Sequence, residues 1–187
     1  MGRRTMPNRT VNAIRRTGQR GSVLIVSLLI LLVMTLIGVT AMNTSTLEQK
    51  MAYNYRDHQL AFQAAEAALR DGEAFVAATP LTAADFSSAC TGGLCTEASG
   101  TTPVWLDQTL NVWSNAGLHR TATFTTAGGA VLEEPVYIVE WLGNVVPTGS
   151  TATTAGPGDP EMYRITALAT GGTTQARVML QSTYEKQ

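Results

Sequence analysis

The residues able to do chemistry are few and scattered. Cys90 and Cys95 stand in Cys-Thr-Gly-Gly-Leu-Cys, with four residues between them. In a reducing compartment such a pair suits redox work or half of a metal site. Metal fits poorly, because no second Cys or His pair stands at ligand spacing. A loop with two glycines closes easily, and in an exported chain the pair reads as a structural disulfide in preference to a free or metal-binding pair. So short a loop removes little unfolded-state entropy, so the bond pins a local turn rather than holding up a domain. His58 and His119 are isolated and read as structural or solvated. Glu133-Glu134 precede a proline and a strand pattern, which suits a solvated turn better than a carboxylate dyad. Asp159-Pro160-Glu161 brings carboxylates close, but the EF-hand loop pattern is absent. Trp105, Trp113 and Trp141 suit a core or its rim better than a sugar platform. No HExxH, GxSxG, P-loop or GxGxxG occurs. The reading is a non-enzyme, with no catalytic residues, metal or cofactor.

Charge and hydropathy are more informative. The 187-residue chain carries a formal charge of −1. Its first 47 residues hold six arginines (Arg3, Arg4, Arg9, Arg15, Arg16, Arg20) and no acid. The rest holds seven basic and fourteen acidic residues, a net −7. A basic tail beside a long apolar run sets membrane topology, and nucleic acid is the weaker reading. No charged residue lies between Gly21 and Leu47, and residues 22–42 (SVLIVSLLILLVMTLIGVTAM) are dominated by Leu, Ile and Val. As a helix those residues rise about 31 Å, enough to cross a bilayer core. A cleaved secretory signal has a shorter apolar run and an A-x-A-like site, and neither is present. Arginines before the span keep the N-terminus cytoplasmic and send the rest out. A generic signal anchor remains open.

These features need elements to carry them. Residues 47–78 contain no proline and are rich in Ala, Glu, Gln and Leu, so the membrane helix continues. Tyr55, Phe62, Leu69 and Val76 recur every seven residues, with Met51, His58, Ala65 and Gly72 beside them. That is an amphipathic stripe, and Pro80 stops it. Residues 81–100, rich in Ser, Thr and Gly, read as a loop. Strand alternation follows at 136–142, 161–170 and 175–184, the last two forming a hairpin about Gly171-Gly172. Residues 119–126 are a weaker strand, 104–113 are ambiguous, and 146–160 read as a flexible loop. The expected fold is α+β, with one long helix packed on a C-terminal antiparallel sheet. The domain reading is a basic leader over 1–21, a helix over 22–79 (transmembrane about 22–42), and one globular head over 80–187. The stripe is the one substantial cover for the sheet.

Arg20-Gly21-Ser22 before the apolar run resembles a type IV prepilin junction. Within that family the match is nearest to PilX-type minor pilins. It rests on Gln19-Arg20-Gly21, Gly38-Val39-Thr40, Met42-Asn43-Thr44-Ser45 and the run from Leu60 to Leu69 (LAFQAAEAAL). Tyr163-Arg164-Ile165-Thr166-Ala167 and Leu180-Gln181-Ser182-Thr183-Tyr184 resemble the family's closing hairpin. The resemblance implies a pilin-like fold and cleavage between Gly21 and Ser22 by a prepilin peptidase, with methylation of the new N-terminus. It implies insertion in the inner membrane with a periplasmic head, then transfer to the pilus. It implies a minor pilin that primes assembly and sits at or near the tip. Its partners would be other minor pilins and the major pilin through the helix, membrane lipid, and a PilY-type tip adhesin; adhesion and twitching motility would follow. Two positions depart from the family pattern. Ser22 stands where Phe or Met is usual, and Val26 where a glutamate is usual. The leader is long, and Met6 is a second candidate start. A secretion-type pseudopilin and an uncleaved single-pass membrane protein with a periplasmic binding domain are the alternatives.

Overall fold

The structure is a computed structural model that describes Gly2 and residues 21–125, 131–147, 153–156 and 158–187. The leader arginines, Thr126 at the end of the weaker strand, and parts of the 146–160 loop lie outside the described residues. Contacts divide the chain into two units, 1–49 and 50–187. Helix α1 (Ser22–Ala78) contributes to both.

In the second unit, α1 carries a face of small residues. Ala61, Ala64, Ala65, Ala68, Gly72 and Val76 are its buried positions. They fall at helical spacing and let the helix backbone lie close on what it covers. The expected stripe shares only Ala65, Gly72 and Val76 with this face. Tyr55 and Met51 are more than 60% exposed, Phe62 is 41% exposed, and His58 is exposed. The physical reason is room: a bulky aromatic at 62 would hold the helix away from the sheet, whereas alanines admit it.

The sheet has five strands. They are β1 (Leu94–Thr96), β2 (Arg120–Thr121), β3 (Val136–Asn144), β4 (Glu161–Thr170) and β5 (Arg177–Lys186). Their order is β1-β3-β4-β5, and β2 also pairs with β3. The β2–β3, β3–β4 and β4–β5 pairings are antiparallel. The short β1 runs parallel to β3, so the sheet is mixed. Alternation expected from sequence holds: Tyr137, Val139, Tyr163, Ile165 and Ala167 join Ala68 and Val76 in one core cluster. The hairpin is registered with Tyr163 opposite Tyr184 and Ala167 opposite Leu180. Its connection runs longer than a Gly171-Gly172 turn, with the Gly171 N–H donating to the Ala176 carbonyl at 2.8 Å.

The opposite sheet face is also covered. Ile138 is buried with Cys90, Cys95, Val104 and Val112, and Trp105 and Trp113 pack against them. Hence residues 137–140 are all buried. The ambiguous 104–113 segment forms a 3-10 turn at Val104–Leu106 and then further turns. This cover is compact loop, with no periodicity to announce it.

Within the second unit, long-range hydrogen bonds hold α1 at two places. At its C-terminal end the Lys186 ammonium donates to the carbonyls of Val76 (2.8 Å) and Thr79 (2.5 Å). The last turn has no basic residue of its own, so β5 supplies the cation that suits free helix carbonyls. Further back, the Gly172 N–H donates to the Asp57 carboxylate at 2.5 Å, and the Thr173 hydroxyl donates to its other oxygen. The Thr173 bond foremost, with the Gly172 amide, holds the Asp57 carboxyl below the usual range.

Candidate functional site

Among the described residues of the first unit, 22–49 are helix, exposed along their whole length. From Val23 to Leu47 the large apolar side chains are all more than half exposed. Five hydroxyls in that stretch bond the helix's own carbonyls. The hydroxyls of Ser27 and Thr35 donate to the carbonyls of Leu24 and Leu32, and those of Thr40, Thr44 and Thr46 to Leu36, Thr40 and Met42. Such back-bonding removes the cost of taking a hydroxyl into hydrocarbon. Among the described residues, α1 is the one helix long and apolar enough to cross a membrane. Gly21 is an exposed bend just before the helix, and Ser22 is its first residue. Val26 lies in the second turn and is 53% exposed.

In the second unit Cys90 and Cys95 are bonded, buried and 4.2 Å apart at Cα. The loop between them needs its glycines. Gly93 has φ +80°, and a Cβ there would lie 2.7 Å from Arg120 Cγ and 3.0 Å from the Arg120 amide nitrogen. Arg120 Nη1 donates to the Gly92 carbonyl at 3.2 Å, and its guanidinium lies 3.9 Å from the Phe75 ring centroid. The small loop thus meets α1 through one cation–π contact. Cys95 pairs in register with Glu140 across β1 and β3.

Glu140 is the feature that sequence reasoning passed over. It is fully buried, and neither carboxylate oxygen has a hydrogen-bond partner. Its cross-strand neighbour Arg164 offers Nη1 at 3.7 Å. Arg164 also reaches Glu97 at 3.6 Å and lies 5.1 Å from the Trp105 ring centroid. Burial pushes the Glu140 carboxyl up to about 7, against the pull of Arg164, while Glu97 adds a smaller upward push. One signal was available: Glu140 shares the alternation phase of Val136 and Ile138, so it points where apolar residues point.

The other residues singled out from sequence fall as follows. His58 is exposed on α1. His119 is half-buried, with Nδ1 2.7 Å from the Val112 carbonyl. Trp105 and Trp113 belong to the loop-side core, and Trp113 Nε1 donates to the Trp105 carbonyl at 2.9 Å. Trp141 packs on the helix-side cluster. Glu133 and Glu134 are exposed. The Asp159 carboxylate accepts from the Gly156 amide at 2.7 Å, and Glu161 accepts from the Tyr163 hydroxyl. Among the described residues no group of three His, Cys, Asp or Glu is placed to hold a metal. The structure does bring Trp113, His119, Glu133 and Glu134 to one cavity, together with Arg177.

Comparison with known families assigns both parts of the chain. The PilX N-terminal profile matches residues 20–70. The profile for the C-terminal part of the type IV pilus assembly protein PilX matches residues 91–186. No curated protein and no solved structure gives a significant match. An α+β head behind a long apolar helix and the two profiles lead to one conclusion: the chain belongs to the PilX family of type IV pilus assembly proteins, the minor pilins.

Proposed function

We propose that this minor pilin is made as a membrane-held precursor, cleaved between Gly21 and Ser22, and placed at or near the pilus tip, where it primes assembly. In this reading residues 1–21 are a cytoplasmic leader, 22–79 the helix and 80–187 a periplasmic head. The observation that carries it is the exposed, charge-free and largely apolar surface of α1 before residue 48. A surface of that length is stable in lipid or in a bundle of similar helices, and not in water. The six leader arginines hold the chain's start at the cytoplasmic face, because each costs about 3 kcal/mol at a bilayer centre. Removing them frees the helix to pass from bilayer to filament beside other minor pilins and the major pilin. A PilY-type adhesin at the tip is the partner that the position allows for the head.

Val26 supports tip placement. In an apolar bundle an amine without a counter-charge is costly. A subunit with valine at that position offers no carboxylate to the amine of a subunit stacked above it. Such a subunit is tolerated where nothing is stacked above.

Two experiments test this reading. Gly21→Arg leaves an uncut, membrane-bound precursor, read by mass spectrometry of the N-terminus; a mature chain starting at Ser22 in that variant overturns the processing step. Val26→Glu spreads the subunit along the shaft, read by immunogold labelling of sheared pili. Labelling confined to filament ends in the variant, as in the parent, argues against the stacking account.

A further inference from the structure

We propose that the head carries a binding pocket for a neutral sugar ring, on the sheet face opposite α1. The cavity has a volume of about 240 Å³ and lies between β2, the approach to β3, and the joined ends of β4 and β5. Trp113, His119, Glu133, Glu134, Thr170 and Arg177 line it. Thr170 and Arg177 are cross-strand partners, so their side chains share one face.

Its groups are set for a ligand and not for one another. Trp113 is fixed by its own N–H, which bonds the Trp105 carbonyl at 2.9 Å, and so presents a ring surface of fixed orientation. His119 donates Nδ1–H to the Val112 carbonyl at 2.7 Å, since a carbonyl only accepts; Nε2 is the ring nitrogen left over. Thr170 is 8% exposed, and its buried hydroxyl has no partner. A buried hydroxyl without a partner is costly, and a turn of Thr170 about χ1 toward the cavity would let a ligand hydroxyl relieve it. Glu133 and Glu134 supply acceptors and Arg177 supplies donors in a planar fork.

The mixture selects the ligand class. Two carboxylates repel a phosphate or other anion. Arg177 opposes a metal ion or a lysine side chain. A ligand rich in hydroxyls uses acceptors and donors together, and its C–H face lies on an aromatic plate. The cavity is smaller than a drug-sized site, which suits one ring or the end of a glycan. The pocket needs neither leader cleavage nor tip placement, so its test stands apart from theirs.

The full chain in a zwitterionic detergent, which brings no sugar headgroup, is titrated with methyl glycosides of the common neutral hexoses and their N-acetylamino forms. Intrinsic tryptophan fluorescence and isothermal titration report binding. Saturable binding of at least one glycoside is expected. Glu133→Gln with Glu134→Gln, both exposed positions, weakens it at least tenfold, about 1.4 kcal/mol, with an unchanged melting temperature. Trp113→Phe weakens it as well, whereas Trp141→Phe on the helix side leaves it unchanged. No saturable binding by any glycoside, equal binding by the double variant, or displacement by inorganic phosphate or lysine methyl ester overturns the proposal.

Discussion

Leucine in place of Gly72 lowers the melting temperature of the head by about 10 °C, from a loss of about 3 kcal/mol. The position is where α1 comes closest to the sheet. A single Cβ there would lie 2.7 Å from Ile165 Cγ2 and 3.1 Å from Tyr137 Cδ2. Both neighbours are buried in the core cluster that also holds Ala68 and Val76, so neither can swing into solvent. Leucine must push helix and sheet apart, and the gap then removes dispersion contacts along Ala61, Ala65 and Ala68 as well. Alanine at the same site costs less than leucine. Helix propensity favours it by about 1 kcal/mol over glycine, but its Cβ is the atom that would lie 2.7 Å from Ile165 Cγ2, a branch methyl fixed at χ1 inside the core. Gly72→Ala therefore costs about 1 kcal/mol net. Ala74→Leu, an exposed position in the same turn, is the control and costs little. Thermal melts of the full chain in detergent, followed by near-ultraviolet circular dichroism, read all three. Equal loss in Gly72→Leu and Ala74→Leu removes the close-approach argument.

The contrast between those two positions shows what the sequence could reveal. Strand phases were legible, because β3, β4 and β5 alternate by two and turn residues bound them. The membrane-length run was legible from composition alone. The helix face was half legible. A seven-residue repeat of Tyr55, Phe62, Leu69 and Val76 points to large side chains, but close packing selects the alanines one position away, and Tyr55 remains exposed. The loop-side layer was illegible, since residues 90–118 have no period and are held by a disulfide, turns and cross-loop bonds such as Trp113 to Trp105. The cavity beside His119 was hidden for the same reason. Its residues are far apart in sequence, each weak alone, and only the meeting of β2 with β3 and of β4 with β5 collects them. Asp57 and Lys186 likewise gave no local sign, because their partners lie more than 100 residues away.

Glu140→Gln raises the stability of the head at about pH 8 and removes most of its pH dependence between about pH 5 and pH 8. The sign follows from burial. The folded carboxyl titrates at about 7, above its ordinary 4.5. The native state therefore holds this proton more tightly than the unfolded state. Its stabilising effect is complete below the unfolded value and is lost as pH rises through about 7. A shift of that size corresponds to about 3 kcal/mol, reduced by whatever relaxation brings water to the site. Asp57, held low by Thr173 and Gly172, works in the opposite direction but below the ordinary carboxylate range, outside this window. Glutamine keeps the shape of the side chain and never ionises. Arg164 loses one partner yet retains Glu97 at 3.6 Å and the Trp105 ring at 5.1 Å, so the gain at about pH 8 is about 1–2 kcal/mol. Arg164→Met gives the reverse. It strands the buried carboxylate, and at about pH 8 the head loses about 3 kcal/mol or more. Below about pH 5 that loss shrinks, because a protonated Glu140 needs no counter-charge. Urea unfolding of the three chains across this range separates the cases. If the parent and Glu140→Gln show the same slope of stability against pH, the titrating group is not Glu140, and the charge balance beneath the 90–118 layer rests on other residues.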